Sequence, residues 1–129
     1  MTRIRFGVYV GENGPKIGRG KIQLLEAVRD HGSISAAARS MGMAYRHAWL
    51  LLDELNQSFR EPVIVSTMGG RRGGGARLTK WGEELVDRFH EMERLARASL
   101  AVHLAVLERR AVRSTPPDRR KPARGARTR

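Results

Sequence analysis

The first ten residues alternate between charged and apolar side chains, Arg3 and Arg5 interleaving with Ile4, Phe6 and Val8, and this period of two predicts a strand over residues 3 to 10. Gly11-Glu12-Asn13-Gly14-Pro15 then collects turn formers. From about Arg19 to His31 the period becomes helical: Ile22, Leu25 and Val28 recur on one face with Leu24 and Ala27 on its flank, and Gly32 ends the helix. Residues 33 to 55 read as two short helices hinged at a glycine. Ala37 and Ala38 let the second helix cross closely over the first, and Gly42 can take the positive φ of a tight turn. Met41, Met43, Ala48 and Leu51 fall where both helices face a common core. That spacing describes a helix-turn-helix over roughly 34 to 59, whose second helix is presented to a DNA major groove.

Glu61-Pro62 stops the second helix, because proline cannot continue the hydrogen-bond ladder. Val63-Ile64-Val65-Ser66-Thr67 is short and β-branched, hence a strand. A glycine-rich loop from Met68 to Ala76 carries Arg71 and Arg72, and Arg77-Leu78-Thr79 returns as a brief strand. Helices followed by a hairpin in this order make a winged helix. Thr79 suits the N-cap of the next helix. No proline interrupts the chain from Lys80 to about Arg110, and Leu85, Phe89, Met92, Ala96, Ser99, Val102 and Val106 mark one face at steps of three and four. A helix of about 30 residues is ~45 Å long, more than a small three-helix core can cover. The stripe therefore predicts pairing with the same helix of a second subunit through Leu85, Phe89, Met92, Ala96, Val102 and Val106. The alternative is a shorter helix packed on its own domain with a frayed end. The expected fold is mainly α with a small β-hairpin: a winged helix-turn-helix over residues 1–79, a long C-terminal dimerisation helix over 80–110 and a disordered basic tail over 111–129.

A chain of 129 residues with 40% apolar side chains supports one domain with one extended arm. The formal net charge of +12 points to a polyanionic partner, nucleic acid before membrane. From Arg109 to Arg129 nine basic residues face one acidic residue, Asp118, so two-thirds of the net charge lies in the last segment. Such a composition disfavours a packed core and supplies salt-sensitive affinity for phosphate backbones. The chain has no cysteine, which excludes disulfides and thiolate metal sites. The alternating N-terminus is not a signal peptide and no apolar run approaches the ~20 residues of a membrane span, so a cytoplasmic location is the default.

Several motifs carry a family resemblance. They are Gly32-Ser33-Ile34-Ser35 before the first helix of the motif, Ser40-Met41-Gly42-Met43-Ala44-Tyr45-Arg46 at the turn, Ala48-Trp49, Glu54-Leu55-Asn56, the glycine-rich wing from Gly69 to Ala76, and Leu78-Thr79-Lys80-Trp81-Gly82. Over roughly residues 20 to 105 the chain resembles the DNA-binding domain of the molybdate-responsive transcription regulators of ModE type, which share the winged-helix plan of the larger LysR family. The wing followed by Leu-Thr-x-x-Gly is the most specific part. The resemblance implies DNA binding and dimerisation. Members with a full regulatory architecture continue into oxyanion-binding domains after the long helix, whereas this chain runs into an arginine-rich tail, so molybdate sensing is not expected within it. Ala44 stands where a capping serine is usual, which weakens the start of the recognition helix by ~1 kcal/mol.

Tyr45, Arg46 and His47 fall on the first turn of the recognition helix, where side chains reach base edges. Arg46 is assigned to base readout, because its planar fork matches guanine O6 and N7, a pairing typically worth ~1–3 kcal/mol of discrimination. A phosphate contact is the alternative. Tyr45 can donate to phosphate or stack on a sugar, and His47 can do either, while Trp49 is assigned to the seam between the helices. Ser33 and Ser35 can each cap the first helix of the motif and contact the DNA backbone there, Ser35 being preferred as cap because Ala36 to Ala38 continue the helix. Arg71 and Arg72, at the tip of the glycine-rich turn, suit a phosphate backbone or a narrow minor groove. Lys80, directly after the wing, completes the expected DNA-binding set.

The wing ends in Gly75-Ala76-Arg77 and lacks the Gly-Lys-Ser/Thr of a phosphate loop, and the stretch from Gly14 to Lys21 fails the same test, so no nucleotide loop is expected. His31, His47, His90 and His103 are scattered without ligand spacing. Glu83, Glu84, Asp87, Glu91 and Glu93 look like the solvated face of the long helix, with Glu84 and Arg88 as an i,i+4 pair. No metal, cofactor or catalytic site is expected. The sequence thus predicts a transcription regulator, not an enzyme, that binds double-stranded DNA at a palindromic operator as a homodimer, with no membrane partner and no small-molecule effector site evident in this chain. A sequence-tolerant nucleoid- or RNA-associated protein would share the basic tail, and a protein-interaction adaptor would share the wing scaffold.

Overall fold

The computed structural model describes residues 2–67 and 74–112. In chain order the elements are β1 (Gly7–Tyr9), β2 (Lys16–Gly18), α1 (Arg19–His31), α2 (Ile34–Ser40), α3 (Tyr45–Ser58), β3 (Ile64–Thr67), β4 (Gly75–Leu78), α4 (Lys80–Ser99) and α5 (Ala101–Arg110). This is the expected mainly helical winged-helix plan, with two antiparallel hairpins, β1–β2 and β3–β4. The N-terminal strand is shorter than its alternation suggests, and β2 pairs with it so that Gly7 lies opposite Gly18 and Val8 opposite Ile17. A three-residue strand flanked by Pro15 and Gly18 carries too little pattern to be read from sequence.

One core joins the elements. Ile22, Leu24, Leu25 and Val28 of α1 meet Ala37 and Ala38 of α2, Ala48, Leu52 and Leu55 of α3, and Leu85, Val86 and Phe89 of α4, all buried. The Phe6 ring stands edge-on to Phe89 with centroids 5.5 Å apart, so the N-terminal arm lies along α4. Gly42 takes φ 66° in the α2–α3 turn, a left-handed conformation that explains glycine there. Met41, Met43 and Leu51 pack on the core at that turn, as their spacing implied.

The wing is seated by three residues around Val63. Asn56 Oδ1 accepts from the amides of Val63 at 2.7 Å and Ile64 at 3.2 Å, while its Nδ2 donates to the Ile64 carbonyl at 3.1 Å. The Thr79 hydroxyl donates to the Pro62 carbonyl at 2.7 Å and accepts from the Gly82 amide at 2.9 Å, which caps α4. Gly82 brings the first turn of α4 against the Val63 carbonyl, leaving no room for a Cβ. The Leu-Thr-x-x-Gly motif is therefore a docking device: one residue caps the helix and another lets it touch the strand.

Four expectations need correction. The helix expected over 80–110 is divided at Leu100, where φ −100° and ψ 5° separate α4 from α5. No glycine or proline lies between Ala98 and Val102 to announce the break. Leu85 and Phe89, expected on the inter-subunit face, are buried in the protomer's own core and so are not available to a second copy. Glu93 is not part of a solvated face: it is buried, and its Oε2 accepts from Arg19 of α1 at 2.9 Å. Ser33, not Ser35, caps α2, accepting from the Ala36 amide at 3.0 Å, because the helix already begins at Ile34. The Glu84–Arg88 pair forms as expected, at 2.7 Å.

Replacing Gly82 by Ala improves intrinsic helix propensity by ~1 kcal/mol, but the added methyl overlaps the Val63 carbonyl. Gly82→Ala is expected to lower stability by about 1–3 kcal/mol in denaturant unfolding, the opposite sign from propensity.

Candidate nucleic-acid interface

The second helix of the motif turns its apolar face inward through Ala48, Leu52 and Leu55, a spacing of four and three residues. The opposite face is therefore in solvent. Tyr45, Arg46 and His47 are all exposed on the first turn of α3, with Tyr45 at 55%. That turn contains no acidic residue, so no carboxylate within it offsets the positive end of the helix or the Arg46 guanidinium. Ala44 is the N-cap and supplies no side-chain hydrogen bond.

Trp49, expected in the seam between helices, is instead 45% exposed. Its position explains the difference: Trp49 follows Ala48 by one residue, about 100° round the helix from the buried line, and follows Tyr45 by four, on the same outer ridge. Tyr45, Arg46 and Trp49 together line a surface hollow of about 280 Å³. Trp49 is a residue that the sequence reading missed for this face, and the signal was the buried i, i+4, i+7 series beside it.

The other expected DNA contacts fall on neighbouring elements. Ser33 is half-buried and occupied as a cap, whereas Ser35 is exposed. Lys80 is exposed at the first position of α4. Arg71 and Arg72 lie outside the described residues. Arg77, absent from the expected set, projects outward on β4 between buried Ala76 and Leu78. That two-residue alternation was legible in the sequence. The base of the wing is held to the end of α1 by the Ala76 amide, which donates to the Gly32 carbonyl at 2.9 Å.

Of the expected dimerisation residues that remain, Met92 and Ala96 are half-buried on α4, and Val102 and Val106 are exposed on α5. No residue of α5 is buried, and Leu95 and Leu107 are also exposed. The Thr2 hydroxyl donates to Glu108 at 2.5 Å and holds its carboxyl below the usual range. On α4 the hydrogen bond from Arg94 does the same to Glu91. Among the described residues no group of three or more His, Asp or Glu side chains is placed to hold a metal, and no helix is long and apolar enough to cross a membrane.

Residues 20–83, which span α1, the helix-turn-helix, the wing and the start of α4, match the model of the bacterial regulatory helix-turn-helix proteins of the lysR family. The chain belongs to that helix-turn-helix family. Within it, the chain is 40% identical over 94 residues to the molybdenum-pterin-binding protein MopA of Rhodobacter capsulatus, a match covering 73% of this chain and 34% of that one. It is 38% identical over 96 residues to the molybdenum transport protein ModE of Azotobacter vinelandii, covering 72% and 36%. With the DNA-binding transcriptional dual regulator ModE of Escherichia coli K12 the figures are 36% over 69 residues, covering 54% and 26%. The matches span about a third of the first two relatives' length. Among solved structures the multiple antibiotic resistance repressor MarR matches with a TM-score of 0.50 and 16% identity over 72% of each chain, a likeness of fold. The helix-turn-helix family and the resemblance to the ModE-type regulators are thus both shown.

The uncapped start of α3 gives a direct test. Ala44 has the extended backbone of an N-cap, φ −68° and ψ 145°, so a serine there can accept from the amides of the first turn. Ala44→Ser is expected to raise stability by ~1 kcal/mol in thermal or denaturant unfolding.

Proposed function

We propose that this chain is a homodimeric transcription regulator that binds a palindromic operator in double-stranded DNA, within the cytoplasm. The observation that carries the reading is the exposure of Tyr45, Arg46 and His47 on the first turn of a helix whose other face is anchored in the core. Two such helices enter successive major grooves, with Arg46 on a guanine edge and Tyr45, His47 and Trp49 beside it. Arg77 and the wing arginines Arg71 and Arg72 serve the flanking backbone, with Ser35 and Lys80 at the edges of the same face. Occupancy of a site near a promoter then blocks polymerase or helps recruit it. The second copy docks on the outer part of α4 and on α5, through half-buried Met92 and Ala96 and exposed Val102 and Val106. The Escherichia coli relative is a DNA-binding transcriptional dual regulator, which supports the same reading.

The operator is obtained by selecting duplexes from a random library with the wild-type protein. Arg46→Ala is expected to weaken binding to the selected site by roughly 5- to 150-fold, the equivalent of ~1–3 kcal/mol, while binding to bulk DNA changes far less. Equal losses on both would remove Arg46 from base readout. A wild-type preference for the selected site well below about 10³ over bulk DNA would favour the sequence-tolerant nucleoid or RNA reading instead. For the dimer, Val102→Asp combined with Val106→Asp is expected to convert the sedimenting species to a monomer. The variant is expected to keep its helical far-UV circular dichroism, because both side chains are exposed in the protomer. A wild-type protein that already sediments as a monomer contradicts the dimer.

A further inference from the structure

A cavity of about 490 Å³ lies between the N-terminal arm, the start of α1 and the last turns of α4, lined by Arg3, Arg5, Lys16, Arg19, Arg97 and Glu93 among others. Five cations, from the N-terminal arm, β2, α1 and α4, thus face one carboxylate. That carboxylate is already engaged: Glu93 accepts from Arg19 Nε at 3.3 Å and Nη2 at 2.9 Å. Among the described residues Arg3, Arg5, Lys16 and Arg97 form no ion pair, whereas Arg29, Arg88 and Arg94 on the outer surface do.

The backbone brings these cations together. Along the arm Ile4 and Phe6 turn toward the protein while Arg3 and Arg5 stay exposed, so both arginines share one side. Gly7 and Gly18, which pair across the hairpin, leave bare backbone beneath the Lys16 side chain, and a Cβ on Gly7 would meet Lys16 Cε at 2.6 Å. Lys16 therefore lies across the glycine pair. Arg19 enters as the first residue of α1, whose N-cap Gly18 gives no side-chain hydrogen bond and whose first turn has no acid.

This region is separate from the reading face. Lys21, two residues after Arg19, pairs with Glu54 at 2.9 Å, so the start of α1 adjoins the later half of α3, ~12 Å along the helix from Arg46. Arg97 is ~25 Å along α4 from Lys80.

We infer that this cavity is a binding site for a small phosphorylated molecule bearing two or more negative charges. Arginine forks and a lysine ammonium are the side chains that take phosphate oxygens with charge-assisted hydrogen bonds. The volume is in the range of small-ligand sites and exceeds what a single phosphate ion fills. The site is independent of DNA reading.

Calorimetric titration of the full chain with inorganic pyrophosphate, in about 0.15 M potassium chloride to screen the exposed charges, tests it. Saturable binding with one site per chain is expected, weakened at least about tenfold in Arg5→Ala/Lys16→Ala, since two charge-assisted contacts to the anion are lost. The charge-matched variant Arg88→Ala/Arg94→Ala removes two cations outside the cavity and is expected to retain wild-type affinity. All four side chains are exposed, and a melting curve for each variant checks that it folds. Equal weakening in both variants reduces the effect to bulk charge and overturns the site, as does unchanged binding in the first variant or no saturable binding at all. Citrate at the same concentrations distinguishes carboxylate from phosphate, and citrate binding as tight as pyrophosphate overturns the phosphate assignment. Arg19 is left intact, because its removal strands the buried Glu93 carboxylate.

Discussion

The angle between the recognition helix, the wing and the long helix depends on how Val63 is held. Its amide is bonded by Asn56 from α3, and its carbonyl both accepts from the Thr79 amide at 3.0 Å and lies against Gly82 at the start of α4. Three elements therefore meet at one residue, with buried Leu55, Ile64 and Leu78 around it. Because the backbone groups there are satisfied by specific partners, a shift of any one element leaves a buried polar atom unpaired, at a cost of roughly 1–3 kcal/mol. That penalty holds the end of α3, the base of the wing and the start of α4 together.

The long helix serves two purposes along its length. Its first half is spent on the protomer, since Leu85, Val86 and Phe89 complete the core beneath α1 and the N-terminal arm. Its second half carries the buried Glu93 against Arg19, a contact whose value lies in orientation more than in net stability, because desolvating a carboxylate offsets much of the attraction. After Leu100 no residue of α5 is buried among the described residues. Buried core residues and exposed apolar residues are thus arranged in series along α4 and α5.

Positive charge is organised in the same segregated manner. On α3 a few exposed residues act at a helix start, where geometry selects which groups reach a duplex. At the N-terminal arm the alternation of apolar and basic residues gathers arginines on one side while the glycine pair of the β1–β2 hairpin makes room for Lys16. The basic residues after Arg110 contribute net charge without a described structure.

Local pattern determined much of this protein. The apolar period over 19–31, the small residues Ala37 and Ala38, the glycine at 42 and the cap at Thr79 each dictate backbone conformation within a turn or two, and the structure has them where the pattern placed them. The exposure of Arg46 follows from the same helical period. Tertiary contacts decided what local pattern leaves open. Trp49 and Phe89 are both large aromatic residues in amphipathic helices, yet one is in solvent and the other fully buried, because only the packing of neighbouring helices defines which side is inside. Glu93 reads as a surface acid until Arg19, 74 residues away in sequence, is brought beside it. The strand at Lys16–Gly18 and the break at Leu100 likewise carry no local signature. Lys16–Gly18 becomes a strand only by pairing with Gly7–Tyr9, and Glu93 is buried only beside Arg19, so in both cases the deciding partner is distant along the chain and comes close only once the chain has folded.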